Sequence, residues 1–171
     1  ITLTDGAVAW ELPATPERQF VSDPLRADGD TLVVCAARPV EGSYQLSLVT
    51  LDAVTGRVVA EAFLVTLGSE WWAIRDCQLV ADDGGWIIVA GGSVIACDDS
   101  GRVRWVRQDL WLPPAVDAFW MLVSQGSTLV HDGRVHVVQP GVPGLVTLDA
   151  ESGRVCWRLA DPAVSRIRGI T

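Results

Sequence analysis

Apolar positions along this chain come in short runs, and each run is cut off by a small turn motif. The longest uninterrupted runs span about five residues, as in Trp86-Ile87-Ile88-Val89-Ala90, against the roughly 20 that a membrane-crossing helix needs. No stretch carries a helical period of any length. Asp28-Gly29, Asp83-Gly84 and Asp132-Gly133 each precede a β-rich run: Thr31 to Cys35, Trp86 to Val89, and Arg134 to Val138. Asp-Gly between apolar runs predicts a hairpin, because glycine accepts the positive φ that a tight turn requires.

A second turn motif repeats in step with the first. It occurs at Thr4 to Trp10, Thr55 to Ala60, Ser100 to Trp105 and Ser152 to Trp157. In each, a glycine (Gly6, Gly56, Gly101 or Gly153) is followed four residues later by Trp, except in the second, where Ala60 stands. These glycines recur at intervals of roughly fifty residues, a spacing that signals repeated supersecondary units. An apolar strand ending in Asp (Asp52, Asp98 or Asp149) precedes the last three, and that carboxylate can bond the turn amides.

Each unit therefore reads as four short strands. The second unit places them at about 21–27, 31–37, 46–52 and 57–63. The third places them at about 77–81, 86–90, 93–97 and 102–107, and the fourth at about 127–131, 134–139, 145–149 and 154–159. Residues 1–13 supply only the last two strands of a first unit, and 166–171 would begin another. Four-stranded units at this spacing predict an all-β chain, a β-propeller of about three complete blades (21–64, 77–107 and 127–160) plus part of another.

The run Asp149-Ala150-Glu151-Ser152-Gly153-Arg154-Val155-Cys156-Trp157 resembles the repeat of the quinoprotein-type (PQQ-like) β-propeller family. Asp52 to Gly56 carries the motif without its Trp, and Asp98 to Trp105 carries it one residue shorter. The resemblance implies a ring of seven or eight blades in which the repeated Trp docks between neighbours, making Trp10, Trp105 and Trp157 structural. A large ring at one fixed place per repeat is also what a packing device looks like. An incomplete ring would expose strand edges and apolar faces at both ends. Remaining blades in the same or another chain, or self-association, are the expected partners.

Strand parity assigns the connections to two sides. In an antiparallel meander the tight Asp-Gly and Thr/Ser-Gly turns share one face of the propeller. The long connections 38–45, 64–76, 108–126 and 140–144 share the other. Binding residues favour long loops on a rigid scaffold, so this second face is the predicted site. Its candidates are Arg38, Tyr44, Trp71, Trp72, Arg75, Trp111, Phe119 and Trp120, residue types common at interface hot spots. The competing reading folds these aromatics down over the blades as small satellite cores.

Composition narrows the chemistry. Thirteen basic residues, all Arg, against 21 acidic ones give a net charge of −8, which disfavours nucleic acid as the main partner. Cys35, Cys77, Cys97 and Cys156 fall on predicted strands and read as buried free thiols packing as small apolar groups. They have no Cys-x-x-Cys spacing for zinc, and no Gly-x-Ser-x-Gly elbow occurs. Quinone-dependent dehydrogenases of the resembled family hold their cofactor with an adjacent cysteine pair and calcium ligands that include Asn. This sequence has no adjacent Cys pair and no Asn, so none of those residues carries over, and no cofactor is predicted.

The expected function is a non-catalytic binding or scaffold module presenting its loop-rich face to a protein or small molecule. Family habit makes it extracytoplasmic. The alternatives are a fragment of a quinone-dependent dehydrogenase, or purely structural blades of a multidomain sensor.

Overall fold

A computed structural model describes residues 10–68, 74, 77–110, 127–138 and 144–160. Three antiparallel sheets make up these residues. The first contains β1 (Gln19–Phe20), β2 (Leu25–Arg26), β3 (Thr31–Val40), β4 (Ser43–Asp52) and β5 (Val58–Leu67), with β1 and β2 both pairing on β3. The second runs β6 (Gln78–Asp82), β7 (Gly85–Ala90), β8 (Ser93–Asp98) and β9 (Val103–Arg107). The third runs β10 (Ser127–His131), β11 (Arg134–Val138), β12 (Gly144–Asp149) and β13 (Val155–Ala160). Each is a meander, and each is one blade.

Neighbouring blades stack face to face, so the central strands are buried on both sides. That is why β7 is buried along its whole length and shows no polar alternation. Its residues nevertheless alternate in what they touch. Trp86 and Ile88 join Val33, Cys35 and Leu48 of the first sheet in one core. Ile87 and Val89 join Val135, Val137 and Val146 of the third sheet in another. A third core sets Val34, Ala36, Val49 and Leu51 against Trp10, Leu12 and Phe20, on the side from which the chain enters. First strands β6 and β10 also touch, which puts the first strands on the inner side of the arc.

Three features depart from the sequence reading. The first strand of the first sheet is not continuous over 21–27. Pro24 has no N–H to donate, and the strand divides into β1 and β2 on either side of it. Ser22 fills the gap, its Oγ accepting from the Cys35 N–H at 2.9 Å.

The expected 38–45 loop is instead the tip of a hairpin. β3 and β4 run ten residues each and turn at Glu41 and Gly42, with φ of 32° and 75°. Glu-Gly is a weaker turn signal than Asp-Gly, and Pro39 argues against a strand. Pro39 is tolerated because it lies beyond β1, where β3 has β4 alone beside it among the described residues. In the same way β5 continues to Leu67 rather than stopping near 63.

Finally, a register shift precedes the Asp of every blade, at Thr50/Leu51, Ala96/Cys97 and Thr147/Leu148. Such bulges bend the outer strand and increase its twist, re-aiming the residues that follow.

Candidate functional site

The Asp that closes each third strand organises the turn after it. Asp52 Oδ1 accepts from the N–H of Thr55 at 2.7 Å and from its hydroxyl at 2.8 Å. Asp149 Oδ1 takes the Ser152 amide at 2.9 Å and hydroxyl at 2.7 Å, and Asp98 Oδ1 takes the Ser100 hydroxyl at 2.6 Å and the Arg102 amide at 2.9 Å. These bonds favour the charged form and hold all three carboxyls below their ordinary value: Thr55 leads for Asp52, Ser100 for Asp98 and Ser152 for Asp149.

Over two of these turns lies a tryptophan from earlier in the chain, Trp10 before the first sheet and Trp105 on β9. Trp10 Nε1 donates to the Ala53 carbonyl, and Trp105 Nε1 to the Ala150 carbonyl, each at 2.9 Å. Their rings lie so close to Gly56 and Gly153 that an added Cβ would sit 2.4 Å and 2.6 Å away. Arg107 adds a second tie, Nη1 to the Gly153 carbonyl at 2.7 Å, while Asp109 holds its other nitrogens. That same Arg107 lowers the Asp109 carboxyl to about 2.

The blade that lacks the Trp solves the contact differently. Ala60 takes the register position of Trp105 and is exposed, while Ala62, two residues on, sits against Gly101. Trp157 occupies the equivalent place on β13 and is 45% exposed, beside His136, which bonds Thr147 Oγ1 at 2.9 Å. Burial holds His136 below 6.5.

On the face opposite the Asp-Gly turns, the first blade is taller than the second. Residues 37–46 continue past the level at which β7 and β8 turn, so the β3–β4 hairpin projects by about four residues, or roughly 13 Å. Its two sides differ. Tyr44 packs with Leu46, Leu67 and Ile74 in the core shared with the second sheet.

Arg38 points to the opposite side and lines a cleft of about 710 Å³ between the sheet and residues 12–20. Ala36, Ser47 and Phe63 form the floor of this cleft, and Leu12, Pro13 and Phe20 its wall. Arg18 and Glu61 pair across it at 2.7 Å. Arg38 donates to Gln45 Oε1 at 2.7 Å and has no carboxylate partner among the described residues.

Sequence reasoning placed Arg38 and Tyr44 together on a loop. They are strand residues on opposite faces of one sheet, because Arg38 pairs with Gln45 and Pro39 with Tyr44. Trp71, Trp72, Arg75, Trp111, Phe119 and Trp120 lie outside the described residues. Sequence reasoning missed Arg18, Glu61 and Phe63. Their signal was Glu61 and Phe63 interrupting an otherwise small-aliphatic β5, and Arg18 immediately before β1.

Of the four thiols, Cys35, Cys77 and Cys97 are buried and free, and burial pushes Cys97 up to about 12. Cys156 departs from the expectation: it is exposed on the outermost strand, where Arg134 Nη1 lies 2.6 Å from its sulfur. Among the described residues no group of three or more His, Cys, Asp or Glu side chains could hold a metal ion. No helix among them is long and apolar enough to cross a membrane.

Two solved structures share this arrangement. One is a europium-containing methanol dehydrogenase, at 17% identity and TM-score 0.52, covering 84% of this chain and 27% of that one. The other is a protein of unknown function from Bacteroides caccae, at 13% identity and TM-score 0.55, covering 91% of this chain and 51% of that one. This chain thus spans between about a quarter and a half of their lengths, and at such identities the likeness is one of fold. No curated protein matches it in sequence. The family model described as outer membrane protein assembly factor BamB matches residues 47–168, well over half of the chain, and with the blades and their repeated turns in view the chain belongs to that PQQ-like β-propeller family.

Proposed function

We propose that this chain is a non-catalytic binding module, part of a larger propeller, whose long-connection face takes a protein partner. The projecting β3–β4 hairpin carries this reading. It contributes Arg38 and Gln45 to a cleft of about 710 Å³, and Arg38 has no carboxylate partner among the described residues. An exposed guanidinium beside apolar walls suits an acidic side chain on a partner segment, which would desolvate it on binding. Membership of a family described by an outer membrane assembly factor supports an extracytoplasmic location. The half-exposed Trp157 is suited to receive the turn of a further blade, as Trp105 receives Gly153.

The test is site-specific photo-crosslinking in the source cells, with the cross-linker placed at Gln45 or, as control, at Asp83 on the trimmed face. A discrete protein adduct from Gln45, lost with Arg38→Glu and absent from Asp83, is expected. The same adducts from both positions, or none from Gln45, would overturn the reading.

A further inference from the structure

The outermost strand of a sheet leaves a row of N–H and C=O groups without partners. Proteins protect such edges with short strands, charges and prolines. β9 is five residues long and carries Arg104 and Arg107; β13 is six residues long and carries Arg158. β5 is ten residues long, Val-Val-Ala-Glu-Ala-Phe-Leu-Val-Thr-Leu, with no Lys, Arg or Pro. Its one charge, Glu61, is already held by Arg18. Among the described residues no strand pairs with its outer side, and Val59 and Phe63 stand 66% and 56% exposed.

An exposed apolar face can be covered by many shapes, whereas an open strand edge, here regular from Ala60 to Phe63 between bulges at Val59 and Leu64, is matched by another extended backbone. We propose that β5 is a strand-addition site for an extended segment of a partner protein, apolar at alternate positions and cationic overall. The proposal rests on the binding-module reading above.

Charge decides between a foreign strand and a second copy. Pairing two β5 edges would bring together two chains of net charge −8, whereas a cationic segment is drawn to that field. Guest side chains on the cleft side would lie beside Glu61 and Phe63, the residues at which the cleft opens onto the strand. Main-chain bonds would supply the affinity and these neighbours the selectivity.

The probe is a dye-labelled, capped peptide alternating Val and Thr with a Lys at each end, titrated into the full chain and followed by fluorescence anisotropy. Saturable binding is expected, with protection of β5 amides in hydrogen exchange. N-methylation of alternate peptide nitrogens, and separately Phe63→Lys, should each weaken binding by roughly tenfold or more. Phe63 is exposed, so that variant keeps its fold, which circular dichroism checks.

Equal binding of the N-methylated peptide would overturn the proposal. So would a chain that dimerises through β5, becomes monomeric with Phe63→Lys and ignores the peptide. An Arg38-dependent adduct in cells without peptide binding leaves the binding-module reading standing and removes this site. Peptide binding without such an adduct does the reverse.

Discussion

Gly133 and Gly153 belong to the same blade and both have positive φ, 65° and 68°, yet they differ in what stands over them. Nothing approaches Gly133, while the Trp105 ring covers Gly153. Gly133→Ala should therefore cost only the left-handed backbone term, about 1 kcal/mol. Gly153→Ala adds a clash that the ring cannot absorb without leaving its hydrogen bond, and should cost about 3 kcal/mol or more, read from urea unfolding midpoints. Trp105→Phe keeps most of the ring and loses the donor to Ala150, a loss of about 1 kcal/mol on the same scale. The Gly–Trp spacing within each repeat was legible in the sequence, but the contact joins a Trp to the glycine of the following repeat, as Trp105 to Gly153. Its substitute was not legible, since nothing in Ala60 or Ala62 announces that the second would meet Gly101.

The turns that follow the third strands respond to acid pH. Asp52, Asp98 and Asp149 all have lowered folded-state values, so their contribution is fully present above the ordinary carboxylate value of 3.8 and is lost as pH falls through the lower folded values. A chain with all three changed to Asn should be less stable at neutral pH and should show a flatter loss of stability below pH 3.8. Thermal melts across that range, compared with the unchanged chain, would test this. A parallel loss in both would mean the turns do not carry the acid response.

Strand positions were largely readable, because Asp-Gly punctuation and apolar runs agreed. Two things were not. The β3–β4 hairpin turns on Glu41-Gly42, an uncommon pair, and Pro39 concealed the strand beside it. The bulges before each Asp also leave no mark in the composition, because they depend on how a sheet must twist to pack a neighbour on both faces.

Across the whole molecule, stacking separates the thiols into two classes. Three lie between blades or on strands that face a neighbour, and Cys156 lies on the outermost strand. A disulfide-exchange reagent added to the native chain should therefore titrate one thiol rapidly, lost with Cys156→Ser, and the other three only on unfolding. Rapid reaction of more than one would mean that the blades part readily in solution.

The site was only half legible at this scale. Strand parity put the β3–β4 tip on the face opposite the Asp-Gly turns, since alternation of turns is a property of the sequence order. It could not tell which residues would share a cleft, because Arg38 meets Arg18 and Phe63 only through the packing of residues 12–20 across the sheet.

In the second blade Trp105 covers Gly153 of the third, while Gly101 receives Ala62 of the first, so the joint has a direction. A unit with both Trp and Gly offers a knob forward and a socket behind, and duplicating it inserts a link with both halves of the joint in place. The number of links at which a ring closes is then set by the rotation between successive units rather than by the chemistry of any one of them.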